Sequence, residues 1–302
     1  MKPQKKAVVY ALMAIAFWST MSSAFKLTLN HIPPDQLLLW SSFFAMFVLG
    51  AILVFKHSFL ELFRQSTKQL LMSALSGFIN PFAYYLVLFK AYDMLQAQEA
   101  GVLNYSWPVV LTILSVPLLG QKIGVKAFVA ILISFSGLWL ISTKGEPFSL
   151  SFTHPFGVFL AVGSAFLWAL YWIINLRDER ESIQKIFMNT FFGGAYITAY
   201  LFFFSEIEIP NFKALAGALY IGAFEMGITF VFWLIALKNA SNTAKVSNLI
   251  FLSPFLALFF IHFLVGETIL PSTVAGLFLI VAGIGLQQLP NNFFKPLLFL
   301  KK

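Results

Sequence analysis

"NYSWPVVLTILSVPLLGQK" (residues 104–122) and "NLIFLSPFLALFFIHFLVGET" (residues 248–268) are two apolar stretches with the same internal plan. In each, a proline is followed by one glycine 12 residues later and, beyond the stretch, by another after 17 more. These landmarks are Pro108, Gly120 and Gly137 in the first half of the chain and Pro254, Gly266 and Gly283 in the second, at an offset of 146. Several matches in one register indicate a duplicated unit.

The duplication extends to the N-terminal side of both stretches. The further matches are Gly77, Asn80, Tyr84 and Ala91 with Gly222, Glu225, Thr229 and Ala236 at an offset of 145, and Trp18 with Trp168 at an offset of 150. The sequence therefore predicts two repeats of one unit, residues 1–145 and residues 146–302.

The composition indicates an integral membrane protein. Of the 302 residues, 59% are hydrophobic and only 11% are charged, and the mean hydropathy is +0.84. A soluble domain carries about 25% charged residues. A helix needs roughly 20 apolar residues to cross the hydrocarbon core. Ten segments meet this requirement: 7–29, 35–55, 69–91, 97–119, 124–142, 155–175, 184–204, 214–237, 243–265 and 270–289.

The distribution of lysine and arginine predicts how these segments cross the membrane. From the N-terminus to the C-terminal tail, the connections carry 3, 1, 3, 1, 2, 1, 3, 1, 2, 0 and 3 positive residues. Because cytoplasmic connections are enriched in positive charge, the richer set and both termini are predicted to be cytoplasmic. With an odd number of spans per repeat, five, the second repeat enters the membrane in the opposite orientation. Such inverted repeats support alternating access to a site near the midplane.

The sequence thus predicts an all-α membrane protein with ten transmembrane helices, arranged as two inverted five-helix repeats around a central cavity. The expected location is the bacterial inner membrane. The chain has no cysteine, which excludes disulfides and thiolate metal ligands.

The second stretch, read on as "ALKNASNTAKVSNLIFLSPFLALFFIHFLVGETILPSTVAGLFLIVAGIGL" (residues 236–286), resembles the EamA family of the drug/metabolite transporter superfamily. With its counterpart in the first half, the resemblance covers about residues 7–289 in two EamA units. The first unit departs from the family pattern at Gln121, where a glutamate is usual; the second has Glu267. "NYSWP" (104–108) is also similar to a stretch found in exporters of aromatic amino acids.

The resemblance implies a ten-helix basket whose cavity is lined by the third, fourth, eighth and ninth helices with the first and sixth. It also implies transport of small metabolites, mostly outward.

Glu225 is the only charged residue of its predicted span, within "GAFEMGITFVFW" (222–233). It lies about 17 to 18 Å from either end of the span, a depth at which a carboxylate costs about 2.5 to 3.5 kcal/mol. Its repeat counterpart Asn80 places a second polar group at the same depth, and Tyr84 and Thr229 follow one turn later on the same faces. We predict that the four face the cavity as a substrate or proton site. The alternative is a structural carboxylate that is hydrogen-bonded between helices.

Five aromatic residues are also predicted to line the cavity: Trp18, Trp107, Trp168, Tyr171 and Trp172. Trp18 and Trp168 lie too deep in their spans for an interfacial belt. An aromatic wall favours flat, apolar or cationic solutes. Ordinary helix packing is the alternative.

Pro108 and Pro254 are predicted to kink the fourth and ninth spans. Each deprives the carbonyl four residues earlier of its usual partner, that of Asn104 and that of Ile250. A cavity can use such a carbonyl, and a neighbouring hydroxyl can satisfy it. Gating or binding and simple helix bending both remain open.

The predicted function is that of a secondary transporter that exports small metabolites or amino acids by alternating access. The sequence has no GxxxxGK[ST] phosphate loop, which argues against an ATP-driven pump within this chain. Import of a small solute by proton symport is the alternative, because direction follows gradients. A membrane-embedded enzyme is less favoured, because it would need paired carboxylates or histidine ligands at one depth.

No catalytic residue, metal site or cofactor is therefore predicted. The predicted partners are a small-molecule substrate, a metabolite or amino acid, and the lipid bilayer, without nucleic acid. The sequence leaves a homodimer open.

Overall fold

The computed structural model describes residues 3–120, 125–146, 154–175, 177–240 and 248–289, which form helices joined by short turns and connections. The helices are α1 (Pro3–Leu29), α2 (Pro34–Phe55), α3 (Thr67–Met94), α4 (Ala97–Asn104), α5 (Trp107–Leu119), α6 (Val125–Ser142), α7 (Pro155–Asn175), α8 (Ser182–Phe204), α9 (Phe212–Asn239), α10 (Ser253–Val265) and α11 (Pro271–Gln288). Short 3₁₀ turns occur at Phe59–Arg64 and Asn248–Leu252. These ranges contain no β-strand.

Six of the helices, α1 to α3 and α7 to α9, are long and apolar enough to cross a membrane, and shorter apolar helices lie in α6, α10 and α11. The predicted fourth span, 97–119, is divided, because α4 ends at Asn104 and α5 begins at Trp107. Residues 243–247 of the predicted ninth span and residue 124 of the fifth lie outside the described ranges. Length and composition thus establish a multi-pass helical protein with six clear candidate spans.

The helix packing is preserved when the two halves of the chain are exchanged. Helix α1 packs against α9 and α10, and its counterpart α7 packs against α3 and α5. Helix α2 packs against α9, as α8 does against α3, and α6 packs against α11. Each half therefore buries much of its apolar surface against the other, and the core lies between them.

Matched glycines allow two of these close approaches. A methyl group on Gly77 would lie 2.4 Å from the carbonyl oxygen of Asn189, where α3 meets α8. A methyl group on Gly222 would lie 2.3 Å from the carbonyl oxygen of Ser41, where α9 meets α2. Small residues let helix backbones approach closely in membranes. Gly77 and Gly222 thus allow the same kind of close helix crossing in the two halves.

Helices α3 and α9 are interrupted at matched places by wide π-type turns, Phe78–Ala83 and Ile221–Ile228. Asn80 lies in the first with an extended backbone (φ −146°, ψ 120°), just before Pro81. Glu225 lies in the second. Such turns are rare and frequently occur at functional sites, and here they hold the two matched polar residues.

Hydrogen bonds join the two halves at the end of the molecule that the charge pattern predicts to be outside. The Gln36 side chain bonds the backbone of Glu206 at 2.5 Å and of Glu208 at 3.3 Å. The Glu267 carboxylate accepts from the backbone N–H groups of Ala97 and Gln98, at 2.6 and 3.1 Å. An acidic side chain is favourable at such a helix N-terminus, so Glu267 caps α4 across the two halves.

Arg180 joins the halves at the predicted inner end. It donates to Gln65 Oε1 and Ser73 Oγ, both at 2.7 Å, and forms an ion pair with Asp178 at 2.5 Å. The Arg180 and Asp178 side chains are only 6% and 8% exposed. At both ends, the joined connections are those that the charge count assigns to one side.

Candidate functional site

A cavity of about 110 Å³ lies between the halves, from the level of Glu225 towards the predicted outer end. Its walls come from α1, α3, α4, α9 and α10 and the turn after α4. Five polar residues line it: Ser22, Gln98, Asn104, Glu225 and Ser253. Five aromatic residues line it as well: Trp18, Phe25, Tyr84, Tyr92 and Tyr105. Apolar walls with a few placed polar groups are typical of small-molecule sites.

Glu225 provides the one carboxylate in the described wall of this cavity. The residue is 8% exposed, and its Oε1 accepts a hydrogen bond from the Tyr85 hydroxyl at 3.0 Å. Its Oε2 has no hydrogen-bond partner among the described residues. Leaving a buried carboxylate oxygen unpaired is costly. This oxygen is itself buried, so a donor from the cavity reaches it only when the surrounding wall moves.

Tyr85 separates this cavity from a second, smaller one, the inner pocket, of about 20 Å³. The polar residues that line the inner pocket are Asn80, Tyr85, Tyr171, Asn189 and Thr190. Tyr85 is 1% exposed, and its ring packs edge-on against Tyr84 at 4.7 Å. The hydroxyl that bonds Glu225 thus belongs to a residue of the inner pocket, and the bond spans the boundary between the two spaces.

A stack of aromatic rings runs alongside this boundary. Trp168 stacks on Tyr84 with ring centroids 4.8 Å apart and on Tyr171 at 5.8 Å. Trp18 lines the cavity and packs against Phe230 at 5.7 Å. Of the predicted aromatics, Trp18 thus lines the cavity and Tyr171 the inner pocket, whereas Trp168 lines neither and contacts them only through Tyr84 and Tyr171.

Asn104 is part of a hydrogen-bonded chain. Tyr84 donates to Asn104 Oδ1 at 3.3 Å, and Asn104 Nδ2 donates to Ser164 Oγ at 2.9 Å. This chain connects α3, α4 and α7 and fixes the Tyr84 hydroxyl at the cavity wall.

Both predicted kink prolines lie at helix starts that follow a break. Pro108 is the second residue of α5, and Pro254 is the second residue of α10. The carbonyl of Ile250, four residues before Pro254, accepts a hydrogen bond from the Tyr105 hydroxyl at 2.8 Å. A hydroxyl from the opposite half therefore satisfies this carbonyl, and Pro254 itself lines the cavity.

Some predicted site residues are not brought together. Asn80 lines the inner pocket, whereas Glu225 lines the cavity. Thr229 is fully buried, and its hydroxyl has no partner in the described residues. Thr229 and Trp107 lie outside the described walls of both spaces.

Tyr85, Tyr105 and Asn189 are site residues that sequence reasoning missed. Tyr84 was predicted because regular helix spacing places it on the face of Asn80. The wide turn at Phe78–Ala83 changes that spacing, so Tyr85 also reaches the midplane. Pro254 predicts an unpaired carbonyl at Ile250, four residues earlier. The sequence does not show that the donor to this carbonyl is Tyr105, from the other half. The described residues contain no group of three or more histidine, aspartate or glutamate side chains suited to a metal ion.

The sequence pattern of the EamA-like transporter family matches the chain at residues 5–143 and again at residues 155–287. The chain belongs to this family. The EamA-like protein is 25% identical to the "Uncharacterized transporter YoaV" of Bacillus subtilis, over 92% of its own length and 95% of that chain. It is also 25% identical to the "Aromatic amino acid exporter YddG" of Escherichia coli, over 80% of its length and 82% of that chain.

A known crystal structure of a protein shares the fold. It aligns with a TM-score of 0.68 at 20% identity, covering 94% of the EamA-like protein and 97% of its own chain. The EamA-like protein is therefore a multi-pass membrane protein of a transporter family, and the matches indicate no enzyme family.

Proposed function

We propose that this protein is a secondary transporter that exports amino acids or other small amine-bearing metabolites by alternating access. The observation that carries the proposal is the unpaired Oε2 of Glu225 at the inner end of a cavity lined by aromatic rings. A carboxylate pairs with a substrate ammonium through a charge-assisted hydrogen bond. The aromatic wall suits a flat side chain, and relatives are named as aromatic amino acid exporters.

The cavity volume indicates a nearly closed conformation. Ligand pockets usually measure about 300 to 1,000 Å³, whereas this cavity encloses about 110 Å³. Binding of an aromatic amino acid thus requires the halves to move apart. The helix packing is the same when the two halves are exchanged. This supports such a movement, since the inner and outer ends of the molecule can open by the same kind of displacement.

The proposal includes the ten-span topology, two inverted repeats at 1–145 and 146–302, and cytoplasmic termini in a bacterial inner membrane. The alternation of positive charge supports it. So do the hydrogen bonds at each end, which join connections of one predicted side. Proton-coupled import of the same class of solute is the second candidate, favoured by the single carboxylate at mid-depth. The transporter relatives weigh against a membrane enzyme.

Efflux of radiolabelled phenylalanine, tyrosine and tryptophan from proteoliposomes tests this function. The decisive variant is Glu225→Gln, which keeps the shape and removes the charge. We expect the efflux rate to fall about tenfold or more, because a hydrogen bond to a charged group is worth about 1.5 to 3 kcal/mol. Glu208→Gln, which removes an exposed carboxylate, is the matched control. Equal efflux from Glu225→Gln and wild type, at equal protein content, would refute the role of the carboxylate.

A further inference from the structure

The inner pocket contains two buried hydrogen-bond acceptors without partners. Asn80 Oδ1 and Asn189 Oδ1 make no hydrogen bond with any described residue. Asn80 is 7% exposed and Asn189 is 3% exposed, and both line the same pocket of about 20 Å³. Buried side-chain polar atoms are usually paired. Both oxygens are themselves buried, so together they offer a site to a hydrogen-bond donor when the pocket walls move apart.

The remaining wall restricts the chemistry of that donor. Asn189 Nδ2 already donates to the Tyr171 hydroxyl at 3.2 Å, and the Thr190 hydroxyl donates to the Ile186 carbonyl of its own helix at 2.8 Å. The other described lining residues are apolar: Pro81, Ile186, Met226 and Phe230. A space of this size accepts a group as large as one water molecule, and a primary ammonium has that size.

The charge of the wall predicts weak binding. No carboxylate lies among the described lining residues of the inner pocket, so amide dipoles alone would hold an ammonium. Charge-assisted bonds to a carboxylate are roughly twice as strong as neutral ones. A weak site on the cytoplasmic side of the strong site at Glu225 lets an exported cation move to and from the carboxylate in steps, as conduction through multi-site pathways requires.

We infer that the inner pocket is a second binding site for the amino group of the transported solute. Asn80 and Asn189 accept its N–H donors before it reaches Glu225, and the Tyr85 hydroxyl is the partition between the two sites. This inference rests on the proposed function, in which Glu225 holds an amine-bearing solute in the cavity.

The test uses Asn189→Leu, which keeps the size of the side chain and removes the acceptor. The full-length protein is reconstituted in proteoliposomes with radiolabelled phenylalanine, and equilibrium binding is measured on the same preparation. We expect binding within about twofold of wild type and a transport rate lowered about tenfold or more, since only the transfer step loses a hydrogen bond to a charged group. Asn189→Asp retains the oxygen and adds a charge, so KM and kcat should both fall as the amino group is held longer.

The matched control is Thr198→Val on the same helix, because the Thr198 hydroxyl bonds its own helix at the Gly194 carbonyl, 2.7 Å away. It should transport like wild type. Wild-type transport by Asn189→Leu, beside a defective Glu225→Gln, overturns the inner site and leaves the proposed function intact. A parallel loss of binding and rate in Asn189→Leu also overturns it, because the amide then acts on the whole cavity. Wild-type transport by Glu225→Gln instead removes the proposed function.

Discussion

At the scale of single residues, the hydrogen bond between Tyr85 and Glu225 determines which carboxylate oxygen remains free. Tyr85 donates to Oε1 at 3.0 Å, and Oε2 is left for a ligand. The tyrosine thereby acts as a positioning residue for the carboxylate.

Tyr85→Phe should lower kcat/KM for phenylalanine efflux about tenfold while preserving the fold. The ring remains, and only a hydrogen bond to a charged group is lost. Transport kinetics in proteoliposomes provide the measurement. Tyr196→Phe, whose ring packs edge-on against Phe78 at 5.6 Å, is the control and should behave like wild type. Equal kinetics for both variants would show that Tyr85 has no positioning role.

The Asp178–Arg180 pair should make stability depend on pH at the inner end. Burial disfavours the charged form of Asp178, but hydrogen bonds and attraction from Arg180 outweigh it and hold its pKa below the ordinary value. The stabilisation is therefore present above the unfolded pKa of about 3.9 and is lost as pH falls through the lower folded pKa.

Asp178→Asn should thus lower the free energy of unfolding by about 1 to 3 kcal/mol at neutral pH. Its difference from wild type should shrink below about pH 4. Thermal unfolding in detergent across this range measures both effects. A difference that stays constant with pH would exclude the ion pair as its source.

At the scale of helices, the interrupted segments of α3 and α9 explain what sequence reasoning could reach. The sequence repeat pairs Asn80 with Glu225, because the constant offset between the two halves can be read directly from the sequence. It did not reveal that the two residues face different spaces, since that depends on the wide turns and on the extended backbone of Asn80.

The fold was more predictable than the site. Apolar length depends on composition over about 20 residues, and it located the six long helices. Tyr105, in contrast, reaches Ile250 across the interface between the halves, and a contact of that kind has no local pattern. The prediction that Pro108 and Pro254 kink their spans followed from the missing N–H of proline alone, whereas in the structure both lie at helix starts that follow a break.

Gly222→Ala should destabilise the protein by about 1 to 3 kcal/mol, because the added methyl group meets the Ser41 carbonyl oxygen and overpacks the α9–α2 crossing. Gly77→Ala should behave similarly at the α3–α8 crossing. Gly163→Ala is the control, since its added methyl group meets no atom within 4 Å. Thermal unfolding in detergent compares the three variants. A neutral Gly222→Ala would mean that the crossing relaxes without cost.

At the scale of the whole molecule, the orientation in the membrane is open to direct measurement. The chain has no cysteine, so single cysteines can be introduced without altering the background. Ser66→Cys should be protected from an impermeant thiol reagent in intact cells, and Ser205→Cys should react, because positive charge predicts the first to be cytoplasmic. Both positions are exposed at the protein surface. The reverse labelling pattern would invert the topology and place the cavity on the cytoplasmic side of Glu225.

The exchange-symmetric packing has a consequence for how such a chain can arise. Helices α2 and α8 each pack against the interrupted helix of the opposite half, so the halves hold each other through noncovalent contacts. An ancestral gene encoding one half could therefore have worked as an antiparallel pair of separate polypeptides before fusion. The connection between the halves then only keeps them close together and does not determine how they pack. Two co-expressed fragments divided after Glu146 should therefore still assemble into one transporter.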